Sequence, residues 1–253
     1  MFSVEVVLLL YSMKINYPET FVMLRGNHET RTMTTYFNFR SEVLLKYDAQ
    51  VYEVIMETFD TMPLGCVIND EYLAVHGGLS PQMRTLADIN TIMRYSEPPQ
   101  SGFFCDLLWS DPVDDATAKS HHTFVKNHNR GCSVFFDPSS TNKFLRENNL
   151  LSIIRAHEAK SDGYQLHQWN GPSEVPPVIT IFSAPNYCDF LKNKGAYMKL
   201  KDGAINIQQF SATDHPYVLP EFMDVFQWSL PFVGEKVVDM LYQILKLTSD
   251  DTN

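Results

Sequence analysis

Four polar clusters recur along the 253 residues, each behind a short apolar run: Arg25-Gly26-Asn27-His28-Glu29, His76-Gly77-Gly78, Arg155-Ala156-His157-Glu158 and Ser183-Ala184-Pro185-Asn186-Tyr187. One amide oxygen (Asn27) and two imidazoles (His76, His157) suit a borderline divalent metal such as zinc, iron or manganese. No cysteine sits in these loops, which argues against a closed structural zinc site. His28, beside Asn27, is a candidate general acid. Arg130, in the Gly-containing stretch Asn129-Arg130-Gly131-Cys132-Ser133, could grip a phosphate through two parallel hydrogen bonds. Tyr187 could add a hydroxyl donor.

Taken singly, a histidine after a strand is more often a satisfied core or surface residue than a ligand. The repetition of the pattern at four strand ends shifts the balance toward a shared site. His121, His122 and His128 read as a solvated loop, and the acidic stretch 109–115 reads as a turn because of Pro112 and its flanking aspartates. Arg25 and Arg155 read as structural.

The elements that must carry these loops are short. The runs 21–24 (FVML), 72–75 (YLAV), 151–154 (LSII) and 178–182 (VITIF) read as strands that empty into polar loops, the way α/β proteins build sites at the carboxyl ends of strands. Residues 3–16 have helical spacing and end before Pro18. Further helical stretches are expected at 35–58, 84–94 and 139–149. Residues 195–210 read as paired strands turning at Asp202-Gly203. A sandwich of two mixed sheets flanked by helices fits best. Near the end, Val233, Val237, Met240, Leu241, Ile244 and Leu245 fall on one face of a helix that needs an apolar partner. The domains expected are 1–220 for the α/β part and 221–253 for the helical segment.

Composition narrows the class. The chain is 44% hydrophobic and 20% charged, enough for one sizeable core, and its net charge of −10 lacks the basic footprint of a nucleic-acid binder. No apolar run approaches the about 20 residues that span a bilayer. The start is not read as a signal peptide, because it lacks a basic region and Glu5 interrupts it. Four scattered cysteines read as reduced thiols of a cytosolic or nuclear protein.

Leu24-Arg25-Gly26-Asn27-His28-Glu29, His76-Gly77-Gly78-Leu79-Ser80-Pro81, Leu108-Trp109-Ser110-Asp111-Pro112, Asn129-Arg130-Gly131, Arg155-Ala156-His157-Glu158 and Ser183-Ala184-Pro185-Asn186-Tyr187 resemble the signature blocks of the phosphoprotein phosphatase family. The stretches 148–164 and 222–237 are most similar to its calcineurin A branch; Cys188 departs from that branch. The resemblance implies a metallophosphatase fold and hydrolysis of phosphoserine and phosphothreonine in proteins, with no phosphoenzyme. It implies two divalent ions (iron and zinc, or manganese), with Asn27, His76 and His157 ligating the second. His28 would protonate the leaving oxygen, and Arg130 and Tyr187 would orient the phosphoryl group. It further implies a calcineurin B-like EF-hand subunit on the last helix, involving Val237 and Leu241, and hence calcium dependence. PxIxIT peptides would add to the strand containing Asn206, Ile207 and Gln208, and LxVP peptides would meet Trp228 and Phe232. Calmodulin would act through a segment beyond residue 253.

Two family blocks, GDxHG and GDxVDRG, are not among these residues, and Phe2-Ser3-Val4-Glu5 resembles the sequence that directly follows the second. The expectation is a chain that starts just downstream of the first-metal ligands, the bridging aspartate and the partner of His28. Two hypotheses follow: part of a longer active phosphatase, which the retained His28, Arg130 and Tyr187 favour, or an inactive binding protein. A generic metal-binding fold is a weaker third, which the calcineurin-like tail opposes.

Overall fold

The computed structural model describes residues 2–114, 123–169 and 175–250. The chain divides into two compact units, Met1–Thr213 and Asp214–Asn253.

In the first unit, helix α1 (Ser3–Asn16) occupies the stretch with helical spacing. The single helix expected over 35–58 is instead broken into α2 (Arg31–Tyr36), α3 (Phe39–Lys46) and α4 (Ala49–Thr61). Local chemistry explains the breaks. Asn38 takes a left-handed conformation (φ 70°) between α2 and α3. Asp48 caps α4, its side chain accepting from the Val51 N–H at 2.9 Å. Tyr52, Ile55, Met56 and Phe59 of α4 pack with Val4 and Val43 in one of two apolar cores.

The central sheet has five strands: β1 (Gly65–Ile68), β2 (Tyr72–Val75), β6 (Ser152–Arg155), β8 (Val178–Ile181) and β7 (Tyr164–His167), in that spatial order. β2, β6 and β8 are parallel, and β1 and β7 pair antiparallel at the two sides. The three parallel strands therefore end at the same edge, and the loops after them converge. The second core, with Leu73, Ile153 and Val178 from this sheet, packs against Leu107 and Leu108 of α5 (Phe103–Trp109) and Phe144 of α6 (Pro138–Glu147).

A three-stranded sheet is formed by β3 (Asp111–Pro112), β5 (Val134–Phe136) and β4 (Phe124–Lys126), with β5 central. A two-stranded ribbon joins β9 (Gly195–Lys201) to β10 (Ala204–Phe210). Its turn needs positive φ at both central residues, and Asp202 (52°) and Gly203 (75°) supply it. Mixed sheets flanked by helices thus match the expected class.

Three local expectations fail. Residues 21–24 form no strand: the chain there is extended, and its neighbour Arg25 makes one lateral backbone bond, to Pro63 O at 2.9 Å. Residues 84–94 hold only a 3-10 turn, Leu86–Thr91. Asp111 and Pro112 form no turn but a short buried strand paired with Phe135 and Phe136. Of the histidine loop, His128 is exposed, and His121 and His122 lie outside the described residues.

The second unit carries α7 (Val225–Asp250), which continues through Pro231. None of the described helices is long and apolar enough to cross a membrane.

Candidate active site

The loop after residues 21–24 turns tightly enough that only glycine fits at 26. A Cβ there would lie 2.6 Å from Glu29 Oε2 and 2.8 Å from His76 Nδ1. Glu29 reaches back to accept from the Gly26 N–H at 2.8 Å, and Arg25, fully buried, ties the loop to Asp60 at 2.7 Å. This holds Asn27 against the end of β2, where His76 emerges. His157 follows β6, the parallel neighbour of β2, with a left-handed φ of 66° that swings its ring toward His76.

Three donor atoms meet as a result. Asn27 Oδ1 lies 2.7 Å from His76 Nε2, and His76 Nε2 lies 3.3 Å from His157 Nδ1. A proton on His76 Nε2 can serve one of its two neighbours well, whereas a cation among the three can serve all of them. Burial, Arg155, His28 and Arg130 push the His76 imidazole down to about 3. Burial and His76 likewise push His157 down. Both rings are therefore neutral at neutral pH, with lone pairs available to a metal. His157 Nε2 is buried without a hydrogen-bond partner and faces Asp111 Oδ1 at 3.8 Å. Asp111 is thus the carboxylate that faces this nitrogen, from beyond hydrogen-bond distance. The donor set thus fits a divalent ion. Among the described residues, no group of three or more His, Cys, Asp or Glu side chains comes together to hold a metal.

Asp111, misread in the sequence as part of a turn, organises the cationic side of the site. It accepts from Arg155 Nη2 at 2.9 Å, from Arg130 Nε at 2.8 Å and Nη2 at 3.3 Å, and from Asn127 Nδ2 at 2.9 Å. Its carboxyl loses solvation by burial, yet hydrogen bonding and the charges of Arg130 and Arg155 hold it below the usual carboxylate range. Arg130 also donates to His157 O at 3.3 Å, so these bonds engage Nε and Nη2. The two-pronged bond read for Arg130 in the sequence is thus made in this structure to Asp111.

His28 stacks on Phe37, with ring centroids 4.9 Å apart. Burial first, then Arg130, pushes its imidazole below its ordinary value. Asn27, His28, His76, Arg130, His157 and Tyr187 all line one cavity of about 440 Å³. The remaining candidates are not among the residues that line this cavity. Asn206, Ile207 and Gln208 sit on β10 opposite Lys199, Met198 and Tyr197. Trp228, Phe232, Val237 and Leu241 are on α7 and exposed, Trp228 by 70% and Phe232 by 63%.

The family model of calcineurin-like phosphoesterases matches residues 2–161. The chain belongs to the calcineurin-like phosphoesterase family. This phosphoesterase chain is 49% identical over 257 residues to the serine/threonine-protein phosphatase 2B catalytic subunit A1 of Saccharomyces cerevisiae, covering 98% of the chain and 46% of that relative. It is 45% identical over 222 residues to human serine/threonine-protein phosphatase 5, covering 87% of the chain and 42% of the relative. A solved structure of a Saccharomyces cerevisiae protein serine/threonine phosphatase with similarity to human phosphatase PP5 superposes with a TM-score of 0.75 at 34% identity, over 87% of this chain and 70% of that one. The chain spans about half the length of the curated phosphatase 2B relatives it matches.

Proposed function

We propose that this chain supplies most of the catalytic domain of a serine/threonine phosphoprotein phosphatase that acts with a calcineurin B-like EF-hand subunit. The observation that carries the proposal is the single cavity lined by three neutral metal donors, a histidine, an arginine and a tyrosine. Asn27, His76 and His157 hold a divalent ion, and such an ion acts as a Lewis acid on a phosphoryl oxygen. Arg130, kept in place by Asp111, presents its remaining N–H groups to the phosphoryl oxygens. Tyr187, in the lining of the same cavity, adds a hydroxyl donor. His28 delivers a proton to the leaving serine or threonine oxygen; its surroundings favour the neutral ring, so a phosphate dianion must raise its proton affinity on binding.

The likeness to phosphatase 2B subunits supports the regulatory part of the proposal. The exposed apolar side chains Trp228, Phe232, Val237 and Leu241 on α7 form the subunit surface, and calcium control follows from the EF-hands of that partner. Trp228 and Phe232 also contribute to an LxVP pocket. The outer strand β10 takes PxIxIT segments by strand addition. Four free cysteines support a reducing compartment, the cytosol or nucleus.

The test is substitution in an active enzyme that contains this chain. His28→Ala and Arg130→Ala are each expected to lower phosphopeptide turnover about 100-fold or more with the fold retained. Undiminished hydrolysis would overturn the assignment.

A second reading applies to the 253 residues by themselves. Three neutral donors without a carboxylate balance a dication poorly, which favours weak binding of one ion and a protein that binds partners without hydrolysis. No phosphatase activity is expected from this chain alone with added manganese; measurable turnover would remove this reading.

A further inference from the structure

Another buried carboxylate takes no part in the chemistry above. Asp106, in the first turn of α5, is 4% exposed, and among the described residues it has no cationic partner. Its two oxygens are taken by two hydroxyls. Ser80 Oγ donates to Oδ2 at 2.7 Å, and Ser133 Oγ donates to Oδ1 at 2.8 Å. Ser80 belongs to the loop that starts at His76. Ser133 closes the loop that carries Arg130.

Both loops need an anchor. The Arg130 loop bends back through left-handed conformations at Gly131 (φ 74°) and at Ser133 (φ 61°), the second on a residue with a side chain. Strain of this kind persists only where surrounding contacts over-determine it. At the other end of this loop, Asn127 Oδ1 accepts from the backbone N–H groups of Asn129 and Arg130 at 3.1 and 3.2 Å. Ser133 O accepts from Asn127 N at 3.0 Å, so the two ends of the loop are tied together. Ser80 Oγ accepts from the Gln82 N–H at 3.2 Å, which leaves its own proton for Asp106. A lone buried carboxylate is costly. Its persistence between two hydroxyls marks it as a bridge rather than filler.

We propose that Asp106 is a positioning residue that couples the Arg130 loop to the His76 loop, so that the phosphate-gripping side and the metal-holding side of the cavity keep one spacing. The proposal rests on the phosphatase reading for its purpose; the coupling itself does not.

The experiment follows the Arg130 Nε–H proton, bonded to Asp111, in the ¹⁵N-labelled full chain by NMR, with the signal assigned by its loss in Arg130→Lys. Hydrogen exchange at this site is expected to speed about five-fold or more in Ser133→Ala and Asp106→Ala. The core amides of Ile153 and Ile179 keep their rates. Asp106→Asn, which retains a polar group for each hydroxyl, restores most of the protection. Ser80→Ala, which touches only the other loop, also speeds exchange at Arg130, and this effect separates a bridge from a local anchor. An unchanged Arg130 rate in Ser133→Ala would overturn the proposal. So would acceleration that merely parallels the core amides, or indifference to Ser80→Ala. If Asp106→Ala fails to fold, the two serine variants decide. Titration of the unsubstituted chain with inorganic phosphate addresses the underlying reading separately: no shift of the Arg130 signal would count against phosphate gripping while leaving the exchange result to judge the coupling.

Discussion

Asp111 holds Arg130 through both carboxylate oxygens, at 2.8 Å to Nε and 3.3 Å to Nη2. The same carboxylate binds the fully buried Arg155 at 2.9 Å, so one side chain fixes two guanidinium groups. Asp111→Ala is expected to cost about 3–5 kcal/mol of stability, because the buried Arg155 and the half-buried Arg130 both lose a carboxylate partner. Urea unfolding measures it. A loss within about 0.5 kcal/mol of zero would show that Glu158, the other acidic partner of Arg155, suffices.

The three-donor cluster predicts metal affinity directly. Calorimetric titration of the chain with manganese or zinc should give one site, and His76→Ala or His157→Ala should remove it. Asp111→Asn, which neutralises the carboxylate that faces His157 Nε2 and also pairs with Arg130 and Arg155, should weaken binding about ten-fold. Equal affinity in the histidine variants would place the ion elsewhere.

His167 gives the pH prediction. It is buried at the end of β7 with Nε2 3.0 Å from Thr180 Oγ1, and its imidazole is pushed down to about 3 by burial, Arg155 and Lys160. The unfolded chain takes up this proton near the ordinary value of about 6.5, well before the folded chain does. Stability is therefore flat above that point and is lost as pH falls from there toward about 3. Between pH 7 and pH 5 the unsubstituted protein should lose about 2 kcal/mol more than His167→Gln does. Parallel pH profiles would sink the assignment.

Replacing Trp228 and Phe232 together with alanine should weaken capture of a calcineurin B-like subunit in calcium about ten-fold or more, as for aromatic anchors at interfaces. Unchanged pull-down would move the partner surface off this part of α7.

Much of this was legible in local pattern. YLAV and VITI announced β2 and β8, Asp202-Gly203 announced the ribbon turn, and the runs before Pro18 and after Pro138 became α1 and α6. The meeting of His76 and His157 was inferable because strands that share a direction share an exit edge, whereas Asn27 reaches them from a loop that follows no strand. Asp111 was missed for the opposite reason. Its partners lie 19 and 44 residues away, and only folding brings them together. The failed strand at 21–24 had the right composition but no lateral partner among the described residues, and a strand is defined by its neighbours. The breaks around Asn38 and Asp48 carried a readable signal, since both are residue types that end or start helices. Asp106 offered none: a carboxylate in an amphipathic stretch looks like surface until its two serines are located.

The ribbon of β9 and β10 has a further consequence. Among the described residues β10 pairs on one side only, and its seven residues, AINIQQF, contain no charge and no proline. Such a border has nothing to repel a copy of itself. At high concentration two molecules are therefore expected to pair border to border, which light scattering would register. Under the proposed strand addition, a docked peptide would act as a stopper as well as a tether.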